Sequence, residues 1–304
     1  MEHLISMDNL SGSDIKEIIK LSQKLKNEMR KEVCHQPLKN KTLGMIFEKR
    51  STRTRVSFEV GMYQLGGYAL YLNAEDLHLG SSESLFDTVN VLSRYIDIIM
   101  IRSNNHKDVE KLSKVSSIPV INGQTNLHHP CQALSDLFTI YEYKNSFNNL
   151  KLAYIGDGNN VAHSLLQGCA KIGIDICIST PIGFECNESI VNGAKKEAEK
   201  NMSEVRVTNS VEEAARNADI IYTSAWFANK ASNRDEKLRA LKEYQVNGYI
   251  LSSAKDNCLF MHSLPAFRGM EATSEVIDGA QSIILDQSEN RLHVQKALLQ
   301  LLLE

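Results

Sequence analysis

A short stretch of hydroxyl and guanidinium side chains follows an apolar run near the amino terminus. The run KTLGMIF leads into EKRSTRTR at residues 48–55, and VSFEVGMYQLGG then shows helical periodicity that ends at a glycine pair. This order predicts a helix that begins at residues 51–54. Unpaired N–H groups at a helix start, together with hydroxyls and guanidinium groups, form a site for a small anion such as phosphate. A simple Ser/Thr helix cap with solvated arginines is the alternative.

Five further segments place polar side chains beside apolar runs. They contain Arg102 at the end of IDIIMIR, His129 and Gln132 in HHPCQ, Asn160 in GDGNNV, Ser263 in FMHSLPAFRG and Arg291 in ENRLHVQKA. Each has a structural interpretation as well as a chemical one. Taken alone, His129 could be a structural histidine, Asn160 a helix cap, and Arg291 an exposed helix arginine. The turn GDGNN lacks the third glycine of a nicotinamide-binding turn, which disfavours an oxidoreductase.

Apolar runs alternate with helical patterns along the whole chain. The runs are KTLGMIF, ALYLN, IDIIMIR, IPVING, KLAYIG, IDICIST, EVRVTN, DIIYTS, CLFMH and QSIILD. Their alternation predicts an α/β protein, and their nearly continuous apolar character predicts parallel strands that are buried on both faces. An Asn-rich turn near residues 145–149 separates two groups of runs, so we expect two domains with the boundary after residue 147. The end of the chain predicts a helix with one apolar face.

Composition limits the classes of partner. The chain has 304 residues, a net charge of -3 and no long basic run, so we expect no binding of nucleic acid. We expect no membrane association either, because no window reaches 18 consecutive apolar residues. The amino terminus lacks the pattern of a signal peptide, and the six cysteines lack metal-type pair spacing. We therefore predict a cytoplasmic protein with reduced thiols and no bound metal.

The motifs together resemble the aspartate and ornithine carbamoyltransferases. The resemblance is carried by STRTR after FEKR and by HPCQ after NGQTNLH, and it extends through FMHSLPAFRG to ENRLHVQKA, nearly the whole chain. It implies two α/β domains, each a mainly parallel sheet flanked by helices, with the active site in the interdomain cleft. Residues 1–147 would bind carbamoyl phosphate, residues 148–285 the amine, and residues 286–304 would form a helix that packs back on the body. Such enzymes are usually homotrimers or multiples of trimers, and they need no cofactor.

The resemblance also implies roles for individual residues on the carbamoyl-phosphate side. The phosphate would be held by Ser51, Thr52, Arg53 and Thr54. Arg102 and His129 would bind the carbamoyl oxygen, and Gln132 would bind the carbamoyl amino group. Further contacts would come from Arg291, from the carbonyl of Leu264 before a cis Pro265, and from His78 in a loop lent by a neighbouring subunit. Ornithine enzymes commonly have Gln where this chain has His78.

The amine side departs from the pattern that the resemblance leads one to expect. Asn160 would contact the amino-acid end of the acceptor, and an element D-x-W-x-S-M-G should follow DIIYT. Here Ser224 replaces the carboxylate, Ala228 the serine, Asn229 the methionine and Lys230 the glycine. Ser263 stands where ornithine enzymes have a cysteine beside the reacting amine. An ammonium group desolvated without its carboxylate partner would bind poorly.

These observations predict a carbamoyltransferase in which Arg53, Arg102, His129 and Ser263 take part in catalysis. By resemblance the acceptor is the δ-amine of L-ornithine, and the products are citrulline and phosphate, as in arginine metabolism. The altered acceptor residues leave two alternatives open. One is transfer to another amine, such as an acylated ornithine, with Lys230 either pairing with an acceptor carboxylate or solvated. The other is a relative that binds carbamoyl phosphate without catalysis.

Overall fold

The chain divides into two compact units. The computed structural model describes residues 1–75, 77, 84–227 and 234–304. The first unit comprises Met1–Phe138 with Glu289–Glu304, and the second comprises Thr139–Ser288. The domain boundaries expected after residues 147 and 285 stay predictions.

Each unit is built on one parallel sheet. The strands among the described residues are β1 (Thr42–Phe47), β2 (Tyr68–Asn73), β3 (Ile98–Arg102), β4 (Val120–Gln124), β5 (Lys151–Ile155), β6 (Asp175–Ser179), β7 (Val205–Thr208), β8 (Ile220–Thr223) and β9 (Leu259–His262). The first unit has the order β2-β1-β3-β4 and the second the order β7-β6-β5-β8-β9. Every paired strand runs parallel to its neighbour. The predicted α/β class is therefore confirmed.

Helices connect and flank the strands. They are α1 (Gly12–Arg30), α2 (Thr52–Gln64), α3 (Leu85–Leu92), α4 (His106–Val115), α5 (Pro130–Lys144), α6 (Asn160–Ile172), α7 (Glu188–Lys200), α8 (Val211–Ala215), α9 (Arg234–Leu241), α10 (Gly248–Ser252), α11 (Ser274–Ile277) and α12 (Ile284–Leu303). Short 3-10 helices occur at Met7–Asn9 and Lys242–Tyr244. No helix within the described ranges is long and apolar enough to cross a membrane.

Burial of the strands follows the sequence pattern in most places. The last five residues of β1 and all four residues of β8 are buried, as expected for strands covered on both faces. Strand β2 is the exception, because it lies at the edge of its sheet and is partly exposed along its length. The core of the second unit includes Trp226, Phe260 and Tyr244, which pack among small and aliphatic side chains.

The prediction of a strand at QSIILD is wrong. Ser282 forms only an isolated bridge with Phe260, and helix α12 begins two residues later at Ile284. The β-branched composition of the run favours a strand, but its last three residues already belong to the helical pattern that follows. The remaining residues are too few for a ladder and make two backbone hydrogen bonds to Phe260, from Phe260 N–H to Gln281 O and from Ile283 N–H to Phe260 O.

Candidate active site

Helix α2 begins immediately beyond the carboxyl end of β1, as the hydroxyl-rich motif predicts. Ser51 is its N-cap, with an extended backbone and a side-chain oxygen that accepts a hydrogen bond from the N–H of Thr54 at 3.4 Å. The other N–H groups of the first turn have no carbonyl partner in the preceding turn, and the helix dipole is positive at this end. The start of α2 therefore offers an anion a set of N–H donors close to the side chains of Thr52 and Arg53.

Two arginines from distant parts of the first unit meet at the hydroxyl of Thr54. Arg291 on α12 donates from Nη2 to Thr54 Oγ1 at 2.8 Å, and Arg102 at the end of β3 donates from Nη1 to the same oxygen at 3.4 Å. Arg291 is only 4% exposed, so its interpretation as an exposed helix arginine is wrong. Because both acceptor positions of the hydroxyl are occupied by guanidinium groups, its own hydrogen is left to donate.

The positive charges in this region repel one another. Burial, together with the charges of Arg291 and Arg53, lowers the pKa of Arg102 to about 10. Burial also lowers the pKa of Arg53. Arg55 makes other contacts, since its guanidinium pairs with Glu59 at 2.9 Å and lies over the ring of Tyr71. We call Arg53, Arg102 and Arg291 the arginine cluster. An anion among them would favour the charged guanidinium groups and so would oppose the lowering of the pKa of Arg102.

Glu48 fixes the backbone that follows Arg102, and the sequence analysis did not single it out. Its two carboxylate oxygens accept hydrogen bonds from the hydroxyl of Ser103 at 2.9 Å and from the N–H of Asn104 at 2.7 Å. The N–H of Glu48 also donates to the carbonyl of Arg102 at 3.0 Å. The carboxyl ends of β1 and β3 are thus tied together around Arg102. Glu48 is the only acid in EKRSTRTR, and this isolated negative charge among arginines was the sequence signal that could have identified its structural role.

His129 lies at the start of α5 at the end of a closed turn. The N–H of Thr125 donates to the carbonyl of His128 at 2.9 Å, and the Thr125 hydroxyl accepts from the N–H of His128. His129 is 5% exposed. Burial lowers its pKa well below the ordinary value, and the charges of Arg291 and Arg102 lower it further. The imidazole is therefore uncharged at neutral pH and can act as a neutral hydrogen-bond donor.

Gln132 presents a defined acceptor one turn into α5. Its Nε2 donates to Asp136 Oδ1 at 2.8 Å, and this contact fixes the orientation of the amide. The amide oxygen Oε1 has no hydrogen-bond partner within the described part of the chain. An amino group is the natural donor for this oxygen. The spacing of four residues between Gln132 and Asp136 on a helix was the signal that could have identified this pair.

In the second unit, the turn after β5 uses Asn159 and not Asn160 as the helix cap. The side chain of Asn159 accepts hydrogen bonds from the N–H groups of Val161 and Ala162. Asn160 is the first residue of α6 and is 9% exposed. The interpretation of Asn160 as a cap is therefore wrong, while its predicted role in binding the acceptor stays a prediction.

Ser224 follows β8 and is held in a network of neutral groups. Its Oγ lies 2.7 Å from the hydroxyl of Tyr154 and accepts from Nδ2 of Asn159 at 2.9 Å. The hydroxyl of Tyr154 in turn donates to the carbonyl of Asp157 at 2.9 Å. Ser224 is only 3% exposed. The position where the resemblance leads one to expect a carboxylate therefore carries a buried, hydrogen-bonded and uncharged group.

A buried ion pair beside this network was not predicted. Lys237 Nζ on α9 lies 2.7 Å from Asp157 Oδ2, with both side chains less than one-fifth exposed. Burial raises the pKa of Asp157, although the charge of Lys237 and its hydrogen bond oppose the shift. No local sequence signal joins two residues that are 80 positions apart.

The segment after β9 carries Ser263 and Leu264, which are both half-buried. The Leu264–Pro265 peptide bond is cis, as the resemblance implied. Leu264 has a φ of +52°, a left-handed conformation that is unfavourable for a residue with a branched side chain.

Four residues named in the sequence analysis lie outside the described residues, namely His78, Ala228, Asn229 and Lys230. Within the part of the chain that the structure describes, no group of three or more His, Cys, Asp or Glu side chains is placed to hold a metal ion. All six cysteines are free thiols. Burial raises the pKa of Cys131 to about 12, so this thiol stays protonated beside the site.

Comparison with known proteins places both units in one family. Residues 2–142 match the carbamoyl-P binding domain of aspartate/ornithine carbamoyltransferases, and residues 148–302 match the Asp/Orn binding domain. An ornithine carbamoyltransferase from Methanosphaera stadtmanae is 48% identical over 300 residues, which cover 98% of each chain. One from Caldicellulosiruptor saccharolyticus is 46% identical over 300 residues, which cover 98% of this chain and 97% of that relative.

Solved structures agree with these relatives. The ornithine carbamoyltransferase of Pyrococcus furiosus superimposes with a TM-score of 0.97 at 44% identity, covering 99% of this chain and 97% of that one. The chain belongs to the aspartate/ornithine carbamoyltransferase family. The family assignment made from the motifs is confirmed.

Proposed function

We propose that the protein transfers the carbamoyl group of carbamoyl phosphate to the δ-amine of L-ornithine, releasing citrulline and phosphate. The observation that carries the proposal is the convergence of Arg102 and Arg291 on Thr54 at the start of α2. Buried cations, a hydroxyl donor and a helix N-terminus form the first unit's site for a phosphate ester. The names of the full-length relatives support ornithine as the acceptor.

The donor side accounts for the charge that develops during the reaction. The amine nitrogen bonds to the carbamoyl carbon, the bond from that carbon to the phosphate oxygen breaks, and the proton lost by the amine is taken up by the released phosphate. Negative charge gathers first on the carbamoyl oxygen, where Arg102 and the neutral His129 can donate, and then on the leaving phosphate, which residues 51–54 and Arg291 would hold. Donors fixed before the reaction lower the barrier because they need not reorganise. The oriented oxygen of Gln132 would accept from the carbamoyl amino group.

Activity is tested by coupling phosphate release to mass-spectrometric detection of citrulline with ornithine as the acceptor. We expect turnover by the parent protein and a loss of kcat/KM on the order of a hundredfold or more in Arg102→Gln. Arg55→Gln is the matched control, because Arg55 lies near the start of α2 but its guanidinium contacts Glu59 and Tyr71 and not Thr54. Absence of citrulline at any ornithine concentration would refute ornithine as the acceptor.

The surroundings of Ser224 favour a second candidate, which is transfer to an amine without a free α-ammonium group. A hydroxyl already bonded to Tyr154 and Asn159 cannot neutralise a desolvated ammonium as a carboxylate would. N-acetylornithine, putrescine and aspartate, tested in the same assay as ornithine, separate the two candidates. A preference for N-acetylornithine that is reversed by Ser224→Asp would support the second one.

We propose further that the protein works in the cytoplasm as a homo-oligomer, by resemblance a trimer. Free thiols at all six cysteines fit a reducing compartment. Exposed apolar side chains concentrate on α2, the edge strand β2, α3 and the turn that follows α3, namely Val56, Val60, Tyr63, Tyr68, Tyr71, Phe86, Val91 and Tyr95. A patch of this kind on a folded unit marks an interface with another chain, and a second copy is the partner that we propose.

Light scattering coupled to size exclusion measures the assembly. We expect the parent to elute as a trimer, and Phe86→Glu combined with Tyr68→Glu to shift the mass toward the monomer. Ile182→Glu changes a still more exposed apolar residue, which lies in the second unit, and should leave the mass unchanged. A monomeric parent protein would contradict the proposed assembly.

A further inference from the structure

We propose that His262 and Glu271 are positioning residues that clamp the segment 263–267 at both ends and thereby fix the carbonyl of Leu264. This inference rests on the proposed function for the part that concerns the reaction, because the contact between the Leu264 carbonyl and the carbamoyl group is implied only by the resemblance to carbamoyltransferases. The clamp itself is an arrangement within the second unit.

The hydrogen bonds of His262 determine which ring nitrogen carries its proton. The N–H of Leu264 donates to His262 Nδ1 at 2.8 Å, so Nδ1 acts as an acceptor and carries no hydrogen. The hydrogen therefore lies on Nε2, which is 3.1 Å from Glu271 Oε1 and donates to it. The backbone N–H of His262 is also fixed, since it donates to Gln287 Oε1 at 2.8 Å. The ring has one orientation in which all these contacts are made.

Glu271 joins the far end of the segment to the same ring. Its Oε1 accepts from Nε2 of His262 and from the backbone N–H of Phe267 at 2.6 Å. The side chains of the two residues are 0% and 1% exposed, so water does not compete for these contacts. A chain of hydrogen bonds thus runs from Leu264 N–H through His262 and Glu271 to Phe267 N–H. Both ends of the segment are attached to one buried side-chain pair.

The clamp holds the backbone of Leu264 in an unfavourable conformation. A φ of +52° is unfavourable for leucine and persists only where the surroundings determine it. Leu264 and Ala266 pack against the core of the second unit, but positions 265, 267 and 268 are exposed, so packing restrains the segment on its inner side only. The hydrogen bond from Leu264 N–H to His262 restrains the 263–264 peptide plane, and the bond from Phe267 N–H to Glu271 restrains the 266–267 plane, so the Leu264 carbonyl lies between two fixed peptide planes. We infer that loss of the clamp lets Leu264 return to an ordinary conformation and turns its carbonyl away.

Glu271→Ala removes the acceptor for both donors and is the decisive variant. If the clamp positions Leu264, kcat for carbamoyl transfer should fall on the order of a hundredfold, the effect of misplacing a group by about 1 Å. KM for carbamoyl phosphate should change by less than about threefold, because the phosphate-holding residues of the first unit are untouched. Glu271→Gln keeps an oxygen that can accept from His262 and Phe267, so it should recover most of the lost kcat.

Asp219→Ala is the matched control for a merely structural effect. Asp219 is another buried carboxylate of the second unit, and it likewise accepts one backbone N–H, from Lys151, and one side-chain donor, from Lys255. Its loss should lower stability without lowering kcat at temperatures where the protein stays folded. An equal loss of kcat in Asp219→Ala and Glu271→Ala would overturn the positioning role.

Amide hydrogen exchange of the peptide that contains residues 263–268 tests the clamp without using activity. The N–H groups of Leu264 and Phe267 should exchange at least about tenfold faster in Glu271→Ala than in the parent. Unchanged exchange would refute the clamp, whether or not the enzyme turns over. Faster exchange with unchanged kcat, in a parent that forms citrulline, would refute its role in the reaction. If the parent forms no citrulline and exchange is still faster in Glu271→Ala, the clamp is supported and only the proposed function is refuted.

Discussion

At the scale of single residues, Thr54 joins two arginines of the first unit through one hydroxyl group. It is fully buried, it lies in the first turn of α2, and its one oxygen accepts from two guanidinium groups. Hydrogen bonds to charged donors are stronger than those between neutral groups, and a buried charged donor without a partner is costly. The hydroxyl therefore brings two like charges together at a place where both can face an anion.

Replacing Thr54 by valine tests this arrangement. The change keeps the shape of the side chain and removes the acceptor, so we expect a loss of stability of about 1 to 3 kcal/mol from the unpaired guanidinium donors. We also expect kcat/KM to fall on the order of a hundredfold. Urea unfolding and the phosphate-release assay measure the two effects.

Two other substitutions on α2 show whether loss of the Thr54 hydroxyl causes the fall in kcat/KM. Thr54→Ser keeps the oxygen and should recover most of the activity. Ser57→Ala removes a hydroxyl that donates only to carbonyls of its own helix and should leave kcat/KM near the parent value. Parent-like activity in Thr54→Val would show that Arg102 and Arg291 do not need their shared acceptor.

At the scale of elements, most of the strands and the start of α2 could be predicted, because continuous apolar runs and the capping pattern are local signals. The sequence could not predict which of Asn159 and Asn160 is the N-cap of α6, because the two side chains are identical and only the backbone conformation determines which one caps the helix. The pairing of Arg55 with Glu59 spans four positions of one helix and is a local signal, whereas the contact of Arg291 with Thr54 spans 237 positions and has no local signal. Local patterns identify which arginines are available, whereas long-range packing selects those that form the cluster.

The turn between β5 and α6 is closed by a tight contact at Gly158. A Cβ atom at this position would lie 2.3 Å from the backbone nitrogen of Cys186 and 2.4 Å from the carbonyl carbon of Glu185. Backbone atoms cannot move away as the end of a flexible side chain can. The neighbouring loop is itself anchored, because the N–H of Asn187 donates to Nε2 of His163 at 2.9 Å.

Gly158→Ala should therefore destabilise the protein by about 1 to 3 kcal/mol, the usual cost of overpacking. Gly193→Ala is the matched change, since Gly193 lies inside α7 with nothing within 4 Å of the added Cβ, and it should stabilise by about 0.5 to 1 kcal/mol. Thermal or urea unfolding of the two variants should thus give opposite signs. If Gly158→Ala is as stable as the parent, the backbone at residues 185–187 can move away from the added Cβ at little cost.

At the scale of the whole molecule, the net charge of -3 conceals a local concentration of positive charge. Burial and the charges of Arg291 and Arg53 lower the pKa of Arg102, and burial with the charges of Arg291 and Arg102 lowers that of His129. A small anion is attracted by this local field and not by the total charge, which explains why composition excluded broad polyanion binding and yet allowed a phosphate site. The same field couples the stability of the fold to pH.

The sign of that coupling follows from the lowered pKa of His129. In the unfolded chain His129 takes up a proton as the pH falls below about 6.5, whereas in the folded protein it does not. The unfolded state therefore binds more protons in this range, and the stability contributed by His129 is complete above about pH 6.5 and is lost as the pH falls below it. His129→Gln removes this contribution and should flatten the dependence.

We expect the parent to lose about 1 kcal/mol more than His129→Gln between pH 7 and pH 5.5, measured by urea unfolding in a buffer without phosphate. Between pH 7.5 and pH 8.5 the difference between the two proteins should be constant, because His129 is uncharged in both states there. Phosphate added at low pH should reduce the loss in the parent, since a bound anion favours the charged imidazole. Parallel curves for parent and variant from pH 7 to pH 5.5 would contradict the lowered pKa, because they would show that His129 takes up its proton equally in the folded and unfolded states.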